Sequence, residues 1–200
     1  MQDKTSQPGR PRSFDESETL SKAVTVFWEN GFVGASYSAL EEATGLHRQS
    51  LRYAFGDKDR LFEQVVSHYA ERKIEEVVRL LTRPRSPLDN IRSVFALWAT
   101  DARHPSRRGC LMVNVLAELG SSDKIAIRAV ALANRRLIDA FERAFCDARR
   151  EGEIRADLDA RALAVQALAL GDGLLLHSRS QDGDPQVMAA LESWITMVAR

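Results

Sequence analysis

The side chains best suited to chemistry lie together between residues 36 and 58, SYSALEEATGLHRQSLRYAFGDK. Arg48 and Gln49 open a short helical pattern there, followed by Ser50, Arg52 and Tyr53. In the DNA major groove an arginine can pair with both acceptors of guanine and a glutamine with adenine, and the first residues of a recognition helix are the ones that reach base edges. His47, Arg48, Gln49 and Ser50 hold those first positions, with Arg48 and Gln49 the strongest base readers. Arg52, Tyr53 and Lys58 are better placed for phosphate, beside the free amides that open the next helix. Tyr37 and Ser38, at the start of the preceding helix, can add contacts to the nucleic-acid backbone. Upstream, Pro8-Gly9-Arg10-Pro11-Arg12 cannot hold a helix, so Arg10 and Arg12 would ride on a mobile arm able to enter the adjacent minor groove. The competing reading is a solvated helix face and an arm without a function.

Such a set acts only if helices hold it. Two short helices, residues 38–44 and 47–55, meet at Gly45-Leu46 in the helix, glycine turn, helix layout of DNA readers. Leu40, Ala43, Leu51 and Phe55 form their inward faces. A first helix over 14–30 carries Leu20, Ala23, Val24, Phe27 and Trp28 on one stripe, begins at an Asp15/Glu18 pair that resembles a capping box, and stops at Gly31. A fourth runs from Asp57 to about residue 81, and its apolar stripe drifts in phase midway, as if the two halves pack on different bodies. Five more follow, over 87–103, 110–119, 121–150, 159–177 and 185–198, with Ser86-Pro87 and Asp184-Pro185 as starts. No segment has strand periodicity, so the fold class is all-α with about nine helices. The chain divides into an arm (1–12), a helix-turn-helix head (13–62) and a helical core (63–200). The eighth helix is apolar nearly all round and needs cover on both sides. A second copy of the last two helices supplies it most simply, in a four-helix bundle closed by Leu168, Leu174, Leu175, Leu191, Trp194 and Ile195.

Composition narrows the function classes. An apolar content of 44% over 200 residues supports a sizeable core. The formal net charge is zero, and residues 1–62 hold eight Lys/Arg against nine Asp/Glu. Any affinity for DNA must therefore come from where charges sit, not from a basic field. Cys110 and Cys146, far apart, make no disulfide framework, and the N-terminus has no signal-like apolar region, so a reducing cytoplasm is expected. The longest apolar tract, 162–176, is interrupted by Gln166 and Asp172 and is shorter than the roughly 20 residues of a membrane span. No nucleophile elbow, phosphate loop, HExxH or metal-ligand spacing occurs, so neither enzyme, cofactor nor metal is expected.

With its nine helices and the stretch GLHRQSLRYAFGDKDRLF, the sequence resembles the TetR/AcrR family of helix-turn-helix transcriptional regulators, most specifically over residues 14–62. RGCLMVNVLAEL, residues 108–119, is similar to a segment of one branch of that family. The resemblance implies a homodimer joined through the last two helices and a double-stranded, palindromic DNA operator read by the first three. It also implies a small-molecule effector in the helical core, repression relieved when that effector binds, and no catalysis. The family usually has an aromatic where this chain has Arg52, often His or a small polar residue at Ala54, and commonly Thr at Ala35. Tyr53, one position on from Arg52, lies about 100° further round the helix. The alternative is a helical protein-interaction module with a vestigial DNA-binding head.

Candidates for the effector pocket lie in the middle of core helices: Phe95, Trp98, Cys110, Met112, Asn114, Glu118, Asn134 and Phe141. Ordinary packing competes with that role for most of them. Asn114 and Glu118, four apart on an otherwise apolar helix, are the more informative pair. Cys110 follows Arg107-Arg108-Gly109 at a helix start, a setting that lowers a thiol pKa. An oxidant- or electrophile-sensing thiol therefore stands beside the reading of a buried structural cysteine.

Overall fold

The computed structural model describes residues 14–106, 108–120, 124–180 and 185–200. Among these the chain forms nine helices: α1 (Glu16–Gly34), α2 (Tyr37–Thr44), α3 (Arg48–Phe55), α4 (Lys58–Leu81), α5 (Pro87–Ala102), α6 (Leu111–Leu119), α7 (Lys124–Arg150), α8 (Ala160–His177) and α9 (Pro185–Val198). An isolated antiparallel bridge between Ile154 and Ala199 is the extended pairing among the described residues. Five starts have a local cause. Asp15, Ser36, Asp57, Ser86 and Asp159 each accept from the amide three residues on, satisfying a donor the helix cannot. At α1 the second half of the capping box is absent, because the Glu18 carboxylate turns to Lys22 at 2.8 Å. The starts anticipated at 121–123 and Asp184 lie outside the described residues.

The head packs α1, α2 and α3 around Phe27, Leu40, Leu51 and Phe55, all 3% exposed or less. Phe32, beyond the α1 kink, folds back on Phe62 with ring centroids 4.9 Å apart. In α4 the first half, with Leu61, Phe62, Val65 and Val66, closes this head, while Ile74, Val77, Leu80 and Leu81 enter the core. The drift of its apolar stripe has this cause. A continuous apolar cluster extends from Ala23 to Val198, so head and core share α4 with no linker between them.

In the core α7 lies against α4 and α8 and buries Val130, Ala133, Leu137, Ala140, Phe141, Ala144 and Phe145. Ala131 is exposed, one helical step out of that stripe. Charged side chains of α7 pair with neighbouring helices. Asp139 and Glu142 both hold Arg161 of α8, at 2.5 and 2.7 Å, and Arg136 holds Glu71 of α4. Of the six side chains expected at a dimer seam, five are buried in this chain's own interior and Trp194 is half-buried. Leu168, Leu174, Leu175, Leu191 and Ile195 are buried, and Trp194 packs against Phe95 and Phe145 while donating to Gln166. Among the described residues, the large apolar side chains left in solvent on these helices are Val165, Leu176 and Met197. On a helix that is apolar nearly all round, composition does not say which half faces inward. No described helix is long and apolar enough to cross a membrane.

Candidate nucleic-acid interface

The turn between α2 and α3 is fixed from both sides. Gly45 takes φ 74°, a left-handed conformation that costs glycine little, and Thr44 Oγ1 donates to the Leu40 carbonyl at 2.6 Å while accepting from the Leu46 amide at 3.2 Å. His47 gives no side-chain cap to α3; that role falls to Glu41, whose carboxylate accepts from the Arg48 amide at 2.6 Å. Sequence spacing missed this cap because its partners are seven residues apart on different helices. With Leu51 and Phe55 buried, the opposite face of α3 turns Arg48, Gln49, Ser50, Arg52 and Tyr53 outward. Tyr53 is 93% exposed, which leaves it no packing role.

The outward set is arranged as well as exposed. The Arg48 guanidinium lies over the Tyr37 ring, 4.4 Å from its centroid, tying the starts of α2 and α3 together. His47 and Ser38 are exposed beside them. Lys58 is half-buried, its Nζ 4.8 Å over the Phe32 ring and 3.5 Å from the Val33 carbonyl. Arg10 and Arg12 lie outside the described residues. Asp15, Glu41 and Asp57, which make the head's charge balance acidic, all accept from helix-start amides. A head with no net positive charge thus presents a face bearing two exposed arginines, whose donors suit the acceptors of bases and phosphates.

The interior candidates separate into three groups. Trp98, Cys110 and Met112 line a cavity of about 30 Å³ enclosed by α4, α5, α7 and α8 and the start of α6. Phe95 and Phe141 are packing, each with its ring 5.7 Å from that of Trp98, and Asn134 is half-buried on α7. Asn114 and Glu118 line a separate cleft of about 370 Å³ between α6 and the head. Asn114 donates to the Arg108 carbonyl at 2.9 Å and accepts from Arg179 at 2.8 Å. The Glu118 carboxylate accepts from the amides of Phe32 and Val33, both at 3.0 Å. It sits directly under the α1 kink at Gly31, where φ is 67° and a Cβ would stand 2.6 Å from a Glu118 oxygen. The kink in α1 and Glu118 of α6 are therefore two halves of one clasp.

Cys110 does not fit the low-pKa setting inferred from its neighbours. The Arg108 guanidinium is turned to Glu29 and to the Trp28 ring, while burial pushes the Cys110 thiol up. The Tyr69 hydroxyl lies 3.8 Å from its sulfur. Sequence reasoning also missed the charged residues of the cavity. Lys73 lies 2.8 Å from Asp101 and 3.2 Å from Glu76; burial opposes its charge, but the hydrogen bond and charge of Asp101, with Glu76, hold its pKa above the ordinary value. Asp172 has neither hydrogen bond nor ion pair among the described residues, and burial pushes it up to about 6. The signal for it was present, a lone carboxylate between glycines in an apolar helix, but it read as an interruption.

Residues 87–199 match the model of the tetracyclin repressor-like C-terminal domain. The chain is 34% identical over 158 residues to the HTH-type transcriptional regulator YezE of Bacillus subtilis (strain 168), covering 78% of this chain and 81% of that one. It is 29% identical over 178 residues to the HTH-type transcriptional repressor ComR of Escherichia coli (strain K12), covering 86% and 82%. Among solved structures it is similar to a cysteine mutant of the TetR family transcriptional regulator CifR complexed with 26bp double-strand operator DNA. That match has a TM-score of 0.80 and 29% identity and covers 95% of this chain and 100% of the other.

Proposed function

The chain belongs to the TetR family of helix-turn-helix transcriptional regulators, and from that premise we propose that it is an effector-controlled repressor working in the cytoplasm. It acts as a homodimer that holds a palindromic double-stranded operator and releases it when a small molecule enters the core. The observation that carries this reading is the outward face of α3, where Arg48, Gln49, Ser50, Arg52 and Tyr53 stand exposed while Leu51 and Phe55 anchor the other side. Residues 13–62 read DNA and residues 63–200 dimerise and bind the effector. Arg48 and Gln49 read bases, His47 and Ser50 flank them, and Arg52, Tyr53, Lys58, Tyr37 and Ser38 take the phosphate backbone. Arg10 and Arg12 reach the minor groove. The operator complex of the CifR mutant supports the DNA-reading role.

The dimer seam consists of the exposed apolar side chains Val165, Leu176 and Met197, on the faces of α8 and α9 that the chain's own core leaves uncovered. Two recognition helices then have to sit about 34–36 Å apart, or a multiple, to enter successive major grooves. The lever between effector and DNA is the segment at Arg108. Its carbonyl accepts from Trp28 Nε1 of α1 at 3.1 Å and from Asn114 of α6, and its guanidinium pairs with Glu29. A coupling of only about 1–3 kcal/mol along this path changes operator affinity about 5–150-fold.

The test is a mobility shift with the DNA flanking the protein's own gene, repeated at several salt concentrations. A sequence-selective shift that weakens steeply with salt is expected. Absence of a shift with any promoter DNA would instead support a protein-interaction module whose head no longer reads DNA.

A further inference from the structure

Three spaces meet at Lys73: a groove of about 620 Å³ along α1 and α4, a cleft of about 210 Å³ beside Trp28 and His104, and the inner cavity of about 30 Å³. Lys73 and Asp101 line both cleft and cavity, so their ion pair stands between the two. Behind it Asp172 has no counter-ion among the described residues, and the Trp98 ring lies so close to α8 that a Cβ at Gly171 would stand 2.2 Å from it. Tyr69, Met112 and Leu137 complete a largely apolar wall. Closed, the cavity has room for about one water.

We propose that this cavity, opened by parting Lys73 from Asp101, is the receptor for a small organic cation with an aromatic or apolar body, with Asp101 and Asp172 as its counter-ions and Trp98 as its ring partner. The proposal rests on the reading of the chain as an effector-controlled regulator and names the chemical class of that effector.

Charge selects the class. Two carboxylates border the space against one ammonium, and that ammonium has a second partner in Glu76 at 3.2 Å. Lys73 can therefore leave Asp101 without losing its ion pairing, and the vacated carboxylate then faces the entering ligand. An anion would have to settle between Asp101 and Asp172. A neutral ligand would leave Asp101 without its ammonium and the more deeply placed Asp172 still unpaired, which is costly. A cation neutralises them and gains the ring face of Trp98 as well. Gly109 and Cys110 line the same cavity, so widening it displaces the segment whose next residue, Arg108, is gripped by Trp28 and Glu29 of the head.

The experiment is isothermal titration calorimetry on the full-length protein without DNA, using three probes that share a ring and differ in charge: benzylamine, benzyl alcohol and benzoate. Benzylamine is expected to bind saturably and at least about tenfold more tightly than benzyl alcohol, with benzoate weakest. Asp172→Asn should weaken benzylamine about tenfold without weakening benzyl alcohol, while Lys73→Gln, which frees Asp101, should tighten benzylamine. Thermal melts of the variants separate this from unfolding. The groups facing Asp172 are Lys73 and Tyr69 from α4, Asp101 from α5 and Cys110 before α6, and Lys73, Tyr69 and Cys110 are all held above their usual pKa. Lowering the pH from about 7.5 to about 5 should thus weaken benzylamine as Asp172 takes a proton, and Asp172→Asn should remove that part of the dependence. No saturable benzylamine binding, equal affinity for all three probes, or an Asp172→Asn variant that binds like wild type would each overturn the receptor. Adding benzylamine to the protein–DNA complex tests the regulator separately: Asp172-dependent binding without DNA release supports the receptor and overturns its coupling to the head.

Discussion

The outward face of α3 and the segment Arg108–Cys110 are both short and arginine-bearing, yet they are built in opposite ways. On α3 the donors of Gln49, Ser50 and Arg52 are exposed, and Arg48 has only a ring stacked beneath it. At Arg108 the polar groups are committed: the carbonyl accepts from Trp28 and Asn114, the guanidinium holds Glu29, and the neighbouring Cys110 sulfur meets Tyr69. A surface that reads a partner must leave its hydrogen-bonding capacity to that partner. A lever must be gripped at both ends, because a displacement passes only through contacts already made.

The comparison presumes that the two regions belong to one cooperative body. Phe141→Ala tests this with the largest expected effect. The ring is fully buried behind Trp98, far from α3, and its loss should cost about 3–5 kcal/mol. Because one apolar cluster extends from α1 to α9, the head should unfold in the same transition. Urea melts followed by tryptophan fluorescence and by far-UV circular dichroism should coincide. A second transition that retains helix would break the link between lever and reader.

Asp172→Asn sharpens the same contrast from inside the core. Burial raises the Asp172 pKa from 3.8 to about 6, so the folded state keeps a proton that the unfolded state has lost. The penalty is absent below about pH 4, grows as pH rises toward 6 and is complete above it. The variant should therefore be more stable than wild type by about 1–2 kcal/mol at neutral pH, with no advantage in acid. A two-unit shift sets a ceiling of roughly 3 kcal/mol, and the new amide is itself buried without a partner. Denaturation at a series of pH values checks it; a constant difference across that range would remove the charge from the explanation.

Arg48→Ala turns to the reading face. It should lower operator affinity by about 1–3 kcal/mol and relax one base position. Stability should change by no more than about 1 kcal/mol, since all it loses there is an exposed stack on Tyr37. Titrations against the operator and against random DNA decide the matter, and equal losses on both would exclude base reading.

The two regions also differ in how much of them was legible beforehand. The α3 face could be read because a period of 3.6 residues, anchored on Leu51 and Phe55, says which side chains point out. For the core the same period gives the helices but not their neighbours. Glu118 of α6 meets the α1 kink across some 85 positions of chain, a contact set by packing that no local period announces. The seam residues of α8 and α9 inverted for a related reason: an all-apolar helix has no phase to read, so Leu168 and Leu174 went outward in the sequence and inward in the fold. Cys110 shows the limit of local electrostatic reasoning, since the arginine beside it in sequence is paired elsewhere in space.

Lys58 carries the smallest predicted effect and falls on the boundary of the comparison. Its position at the start of α4 suits a phosphate, and as a free cation its loss should weaken all DNA sequences alike and flatten the salt dependence by about one unit. Yet its ammonium also lies over Phe32 and reaches the Val33 carbonyl, beside the two amides that Glu118 holds, which makes it resemble a member of the committed network. Two variants test the roles: Lys58→Met removes the charge and keeps an apolar stem over the Phe32 ring, and Lys58→Ala removes both. If Lys58 serves the DNA, Lys58→Met and Lys58→Ala should flatten the salt slope equally and melt close to wild type. If it is a strut between α1 and α4, both should leave the slope intact and lower stability by about 0.5–1 kcal/mol through the lost cation–ring contact. The first outcome extends the reading face as far as α4, and the second ends it at Tyr53.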